Sequence, residues 1–558
     1  MKGIGYASSV ALLVIVSCGG GPAEPVSALA VMPEDPLVAM AVSDPVAVVS
    51  NIDGYIAEGI PMLGDNFLGT ALSAAAGVDD LETLMTDWGL DPHGTTVFFM
   101  EAMTPATIGL ASGATDPGLF VTSLEAQGVT FTDSDPIEGV DVKSAAIPSG
   151  NLFVAGDRGL LLVAGSRSTL TSMLGRLDPG NGASPVELGP ATFYFCMQLG
   201  SIGPMAAAQI EMVRPQVLSE MAQNGGPGNE MAIRMIDLYF DAISLFLTQT
   251  QSVESRVVIG PEEIECESVI DFVPGSDLAA VLTAPVEIND LTDHVPDGDI
   301  IMARASLPPE LTIAVVNAVT GAMGLEYPSD ALETYAEWSK NTAVSVLADD
   351  AGTMLHVVAV YALPEGVGLE QVRDIYQSQI DFTRAMMAGM GGMMDMTLGD
   401  QVYMDRDFMV FDMTMNTGAI MAGNPEIPEG AIPEMDYTVW MTVADGLLWL
   451  EMADQPEVVT QLIEGTWTGG LASDAPVFEG TGHAQMVASF NLDGYLRMIA
   501  GFMGGQIDLS ALPVNPVWIN GWVESMPEDS RLVEHCSLSG MDLARMIGNY
   551  MPLFAGEM

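Results

Sequence analysis

Six methionines fall between positions 386 and 396: Met386, Met387, Met390, Met393, Met394 and Met396. Thioether sulfurs are soft ligands, and M-x-x-M or M-x-M spacing suits Cu(I). Gly389, Gly391 and Gly392 would let such a segment wrap an ion. The same residues would also make an adaptable hydrophobic ligand surface, because methionine is unbranched and polarizable. Ordinary packing is the third reading, since the chain holds 39 methionines. A second candidate is acidic. Asp133, Asp135, Glu138 and Asp141, with Gly139 among them, alternate oxygen ligands as a calcium loop needs. The run departs from the EF-hand pattern: Pro136 takes the fourth position, and no glutamate stands twelfth from Asp133. Asp405-Arg406-Asp407 and the pair Asp297 and Asp299 are shorter versions, and for each a solvated turn competes with an ion site.

Catalytic patterns are scarce. His93, His294, His356, His483 and His535 are scattered, with no H-E-x-x-H, C-x-x-C, G-x-S-x-G or Walker-type Gly-Lys-Ser/Thr. His535-Cys536 is an adjacent pair, but a strand would turn the two side chains to opposite faces. Carboxylate pairs for hydrolysis stay open, because 74 acidic residues offer many pairings. Against them stand only 16 basic residues, giving a formal charge of −58, and lysine occurs only at Lys2, Lys143 and Lys340. Such a chain is repelled by nucleic acid and by anionic membrane surfaces. The acids form no long blocks, so the composition is not that of a disordered acidic tail. Hydrophobic residues make up 49% of the chain, enough for large cores. No cofactor is implied.

The N-terminus carries an address. Lys2 precedes an apolar run from Val10 to Val16, and Ile15-Val16-Ser17-Cys18 is followed by three glycines and Pro22. The apolar core is too short for the roughly 20 residues that span a bilayer as a helix. These residues resemble the lipobox signal peptides of bacterial lipoprotein precursors. The resemblance implies that residues 1–17 are a signal peptide, that Cys18 is lipidated, and that residues 18–32 form a tether. Gly19 is not the aspartate that retains such products at the inner membrane. An outer-membrane or cell-surface position in the cell envelope is therefore implied. Cys196, Cys266 and Cys536 remain, so at least one stays outside any disulfide in a monomer. Cys196 lies in an apolar strand pattern, Phe193 to Met197.

The body of about 540 residues repeats itself. Asn51-Ile52-Asp53-Gly54-Tyr55-Ile56 recurs as Asn491-Leu492-Asp493-Gly494-Tyr495-Leu496. Each follows an apolar run, Val46–Val49 or Met486–Ala488, and leads into helical spacing, so each is read as a strand-to-helix corner capped by its Asn. Leu81-Glu82-Thr83-Leu84 with Asp87-Trp88 parallels Leu332-Glu333-Thr334-Tyr335 with Glu337-Trp338, each before a strand. Gly159–Val163 parallels Gly446–Leu450, and Gly275–Ala279 parallels Gly540–Ala544. The boundary falls in the acidic, turn-rich run Asn289–Asp299, which sets a first half at 33–288 and a second at 296–558. Four strand-then-helix subunits are expected to start near Val46, Phe193, Ile300 and Met486. Alternating runs such as Leu355–Tyr361 and Tyr437–Val443 indicate antiparallel strands.

The expected fold is α+β, two diverged tandem halves of extended antiparallel sheet with helices on one face. The strand, helix and helix-Trp-strand arrangement resembles secreted bacterial lipoproteins of unassigned function, a likeness that implies no site residues. The expected role is a membrane-anchored, non-enzymatic binding or scaffolding module for a hydrophobic ligand or another envelope protein. The alternatives are an envelope hydrolase using acidic residues and a calcium- or copper-binding lipoprotein.

Overall fold

The structure is a computed structural model. It describes residues 27–64, 66–76, 80–148, 150–178, 186–224, 229–322, 327–348, 355–387, 394–415, 435–502, 509 and 512–555. The chain opens with β1 (Val38–Ser43), α1 (Pro45–Gly59), α2 (Phe67–Ala76), α3 (Leu81–Asp87), β2 (Thr95–Met100), β3 (Ile108–Gly113) and α4 (Pro117–Ala126). A meander follows, β4 (Thr132–Ile137), β5 (Val140–Ile147), β6 (Gly150–Asp157) and β7 (Leu160–Ala164), closed by α5 (Arg167–Arg176). Next come β8 (Thr192–Met197), α6 (Leu199–Asn224), α7 (Asn229–Gln249), β9 (Thr250–Ile259), β10 (Glu263–Phe272) and α8 (Asp277–Leu282).

The order then begins again. It runs through β11 (Ile301–Ser306), α9 (Pro309–Ala322), α10 (Ser329–Ser339), β12 (Asn341–Ala348), β13 (Leu355–Ala362) and α11 (Leu369–Met387). The second meander is β14 (Met394–Tyr403), β15 (Arg406–Met415), β16 (Met435–Ala444) and β17 (Leu447–Met452), closed by α12 (Glu457–Glu464). The chain finishes with β18 (Met486–Asn491), α13 (Leu492–Phe502), β19 (Trp518–Met526), β20 (Arg531–Ser539) and α14 (Gly540–Ala555). The fold is α+β, and the first pass differs from the second by the added helices α2 and α7.

Strand pairing repeats along with the order. β1 lies between β2 and β8, as β11 lies between β12 and β18, all antiparallel. β3 pairs with β7 and β13 with β17, so each meander folds back onto the strand that preceded it. The registers stay in step. Ser43 faces Thr95, and the ladders lead on through Thr96 and Ser112 to Leu161. Ser306 faces Asn341, and the same route leads through Thr342 and Tyr361 to Leu448. Leu161 and Leu448 each stand two residues after a turn with two positive φ values, Arg158-Gly159 (50° and 76°) and Asp445-Gly446 (53° and 77°). Two-residue turns of that kind match the twist of a hairpin, and glycine takes the second position without a Cβ clash.

Two compact units divide the chain, and they do not coincide with the sequence halves. One comprises the chain up to Ile202, Thr250–Ile270 and Ser537–Met558; the other comprises Gly203–Gln249 and Asp271–Cys536. In the first unit, α14 from the chain end packs on α1, where Gly548 and Gly59 meet so closely that a Cβ at either would strike backbone. The core of this unit lies under β1, β2, β3, β7 and α5, around Ala39, Val97, Phe99, Leu162 and Leu170. The core of the second gathers Met302, Val358, Val360, Phe408, Trp440 and Trp449.

Two expectations need correction. The tether does not extend to residue 32: Ala28–Val31 form a short 3-10 turn buried in the first core, and Arg176 Nη1 donates to Val31 O at 2.8 Å. Val46–Val49 is helix rather than strand. Asp44, with φ of 46°, accepts from Ala47 N at 2.9 Å and Pro45 takes the first helical position, so the helix starts there and Asn51–Ile56 lies inside it. Only the second copy of the hexapeptide straddles a strand end and a helix start. Within the run Asn289–Asp299, Leu291 and Val295 are core residues and Asp290 accepts from Thr292 N at 3.0 Å.

One buried acid holds the second unit's last meander to its helix. Glu451 on β17 is fully buried, accepts from Val458 N at 3.2 Å and Val459 N at 2.7 Å, and pairs with His356 Nε2 at 2.8 Å. Its charge sits at the start of α12, where the helix dipole favours it. Glu451→Ala leaves two buried amides and an imidazole without their acceptor. The expected loss is about 3 kcal/mol, read from urea unfolding midpoints. Glu451→Gln, which keeps one acceptor oxygen, is expected to lose less.

Candidate functional site

Helix α1 presents Asn51 and Tyr55 one turn apart, on one face. Asn51 Nδ2 donates to Ile259 O at 2.5 Å. The Tyr55 hydroxyl donates to Gly260 O, with Glu263 O at 3.4 Å. Burial, helped by the charge of Glu263, holds the Tyr55 phenol above its ordinary pKa. Both side chains therefore pin the β9–β10 turn. Asp53 is buried and accepts from Leu68 N at 2.6 Å and Gly69 N at 3.0 Å, fixing the start of α2. In the second copy Asn491 Nδ2 donates to Asp299 O at 2.8 Å, while Asp493 takes Arg497 Nε at 2.9 Å and Asn515 N at 3.2 Å. The repeated Asn and Asp act as backbone clamps in both copies.

What the first clamp creates is a cleft. It measures about 400 Å³ and lies among Ala47 and Asn51 of α1, residues 189–192, Arg256, and residues 258–261. That size falls within the range of small-molecule sites. Its walls are mainly apolar: Ala47, Pro190, Ala191, Val258, Ile259 and Pro261. Ser43 Oγ fastens one wall, donating to Gly189 O and accepting from Thr192 N at 3.2 Å. Ala191 in that wall has φ of 53°, a left-handed conformation costly for a residue with a Cβ, and its carbonyl accepts from Ile259 N at 3.0 Å. A strained wall is kept when the surrounding contacts over-determine it.

Arg256 is the one charged residue lining the cleft. Its Nε is buried and has no hydrogen-bond partner, and among the described residues no carboxylate pairs with its guanidinium. Most other described cations do reach one: Arg176 to Glu101, Arg214 to Asp237, Arg373 to Asp400, Arg531 to Asp271. Glu254, two residues before Arg256, is engaged by the Tyr194 hydroxyl, whose ionisation is suppressed by burial and then by nearby Cys196 and Glu254. Arg256 faces Tyr194, which faces Ala41. In the second half the matching ladder runs from Arg304 through Val487 to Trp522. The indole of Trp522 stacks on the His535 ring, centroids 4.8 Å apart. Where the second half has an aromatic stack, the first has a cation beside an apolar cleft. Sequence reasoning missed Arg256, because what marks it, a buried Nε without a hydrogen-bond partner beside an apolar cleft, exists only in three dimensions.

The residues singled out by sequence are placed as follows. Asp133 and Asp135 lie on β4, Glu138 is in the β4–β5 turn, and Asp141 lies on β5. Glu138 and Gly139 have φ of 53° and 87°, so the run is a hairpin turn of the same kind as Arg158-Gly159. Lys143 Nζ meets Asp133 Oδ1 at 2.8 Å and holds that carboxyl below its usual range. Met404-Asp405 forms a similar turn. Among the described residues, no three His, Cys, Asp or Glu side chains converge as a metal site needs. Met386 and Met387 end α11, Met394 begins β14 opposite Met415, and Met396 is buried opposite Met413. Met390, Met393 and Cys18 lie outside the described residues. Cys196 is buried on β8, and Cys196, Cys266 and Cys536 form no disulfide with one another.

No protein-family model matches the chain, and no curated protein sequence is similar to it. Among solved structures, crystal form III of a protein designated TP0453 is similar over 48% of this chain and 90% of its own, at 13% identity and a TM-score of 0.23. Crystal form I gives 48%, 90%, 11% and 0.22. Crystal form IV gives 47%, 87%, 13% and 0.23. Among the described residues, no helix is long and apolar enough to cross a membrane.

Asp297 supplies a pH test of the second unit. Partial burial, together with the charges of Asp299 and Asp474, raises its pKa. The folded state thus holds this proton more tightly than the unfolded state. The stability penalty grows as pH rises through the unfolded and then the folded pKa, and is complete above both. Asp297→Asn is expected to raise the melting temperature at pH 7, and the gain should vanish on acidification below pH ~4.

Proposed function

We propose that this chain is a lipid-anchored protein of the cell envelope that acts by binding rather than catalysis, holding a hydrophobic ligand in the cleft beside α1. The observation that carries the reading is the cleft itself: apolar walls, a single charged side chain, and a backbone frame fixed by Asn51, Tyr55 and Ser43. An apolar cavity with one charged side chain orients a ligand without a proton-transfer pair to act on it. The deeply buried Glu451 and Asp493 already accept backbone amides and cations, and an acid so engaged is poorly placed to serve a hydrolase. Anchoring at Cys18 rests on the lipobox and places the module where apolar molecules are plentiful.

A second reading has its own observation. The helices α6 and α7 expose the large apolar side chains Met205, Met212, Tyr239 and Phe246, and exposed apolar patches mark interaction sites. Docking of another envelope protein on that pair is the competing role.

Mass spectrometry of organic extracts tests the binding reading, using protein purified without detergent from its producing cell. An apolar molecule should co-purify with the wild type at near-stoichiometric amount and be lost from Ala47→Trp, which fills the cleft from the helix side. Equal recovery from both would contradict it. Fatty-acid labelling with Cys18→Ala as control tests the anchor, and label retained by the variant would overturn the lipidation.

A further inference from the structure

We infer that the ligand is a single-chain carboxylate amphiphile, a fatty acid, whose head group is bound by Arg256 and whose chain lies along the apolar walls of the cleft. The inference rests on the binding reading above and adds the class of ligand.

Three features of the cleft select that class. The first is charge. A guanidinium with a buried Nε and no carboxylate partner is exceptional in a chain of net charge −58, because acids are available almost everywhere on its surface. An uncompensated cation in a partly buried place calls for an anion, and arginine offers parallel N–H donors that match the two oxygens of a carboxylate. The second is the number of donors. Lysine is absent from the cleft lining and Arg256 is its only cation. One cation balances a carboxylate of one charge, whereas a phosphate monoester carries more charge than a single guanidinium offsets. The acidic surface around the site penalises the excess.

The third feature is shape. A space of about 400 Å³ is lined on several sides by Ala47, Ala191, Val258 and Ile259. It suits one acyl chain rather than the two of a membrane phospholipid. Each methylene buried there adds affinity, so the chain supplies affinity and the head group supplies orientation. Asn51 does not compete for the head, because its amide already donates to Ile259 O. The register places Trp522 at the matching position of the second half, so the cation belongs to the first half alone.

Calorimetry with dodecanoate, dodecanol and dodecyl phosphate tests the inference, using delipidated full-length protein and the variants Arg256→Gln, Arg256→Lys and Ala47→Trp. Circular dichroism and unfolding midpoints establish that each variant is folded. Dodecanoate should bind the wild type about tenfold to a hundredfold more tightly than dodecanol. Arg256→Gln should abolish that preference while leaving dodecanol affinity unchanged, and Arg256→Lys should keep part of it. Equal affinity for dodecanoate and dodecanol, with both lost in Ala47→Trp, would overturn the carboxylate assignment and leave the cleft as an apolar site. Tighter binding of dodecyl phosphate than of dodecanoate would also overturn it. Failure of every probe to bind, or binding unaffected by Ala47→Trp, would overturn the binding reading itself.

Discussion

Charge imbalance is the constraint under which the rest of this molecule is organised. With 74 acidic residues and 16 basic ones, cations are scarce, and they sit where segments must be joined. Arg176 ties α5 to the buried N-terminal turn and to Glu101. Arg214 links α6 to α7 through Asp237 and Asp241, each at 2.6 Å. Arg304 is almost fully buried and holds the backbone at Thr481 and Ala484. Exposed pairs add little stability singly, so their placement says more about assembly than about energy. A cation without such a duty, facing an apolar cleft, departs from the pattern, and that departure gives the first unit its functional asymmetry.

The duplicated architecture explains where such an asymmetry can arise. Both passes need the same strand pairings and the same hairpin turns, so Gly159 and Gly446 answer one backbone requirement at corresponding places. β9 lies between β8 and β10, and β19 between β18 and β20, but the shared ladder fixes their backbones and not what their side chains must contact. One copy filled its position with the Trp522–His535 stack and the other kept Arg256. The compact units then exchange helices relative to the sequence halves, since α14 packs on α1 while residues 203–249 belong with the second unit.

Much of this frame was legible in the chain. Alternation marked β13 and β16, the Leu-Glu-Thr motifs marked α3 and α10 before their strands, and the Gly-Leu-Leu runs marked β7 and β17. Other features were hidden for physical reasons. The β-branched run Val46–Val49 has strand propensity, but Asp44-Pro45 starts a helix ahead of it and burial of Val48 and Val49 overrides the preference. Acidic residues beside glycine serve calcium loops and hairpin turns alike, so Glu138-Gly139 could not be told apart by composition. The buried turn at Ala28–Val31 lies where the lipobox suggested a spacer. Arg256 was invisible because its meaning is the lack of a neighbour, which no spacing encodes.

The central claim is that the cleft beside α1 holds an acyl chain with its carboxylate on Arg256. A crystal structure of the protein purified without detergent from its producing cell tests it most directly. The account predicts elongated density along Ala47, Ala191, Val258 and Ile259, ending in two oxygens within hydrogen-bond distance of the Arg256 guanidinium. A collapsed or water-filled cleft, with Arg256 turned to a surface carboxylate, would contradict it.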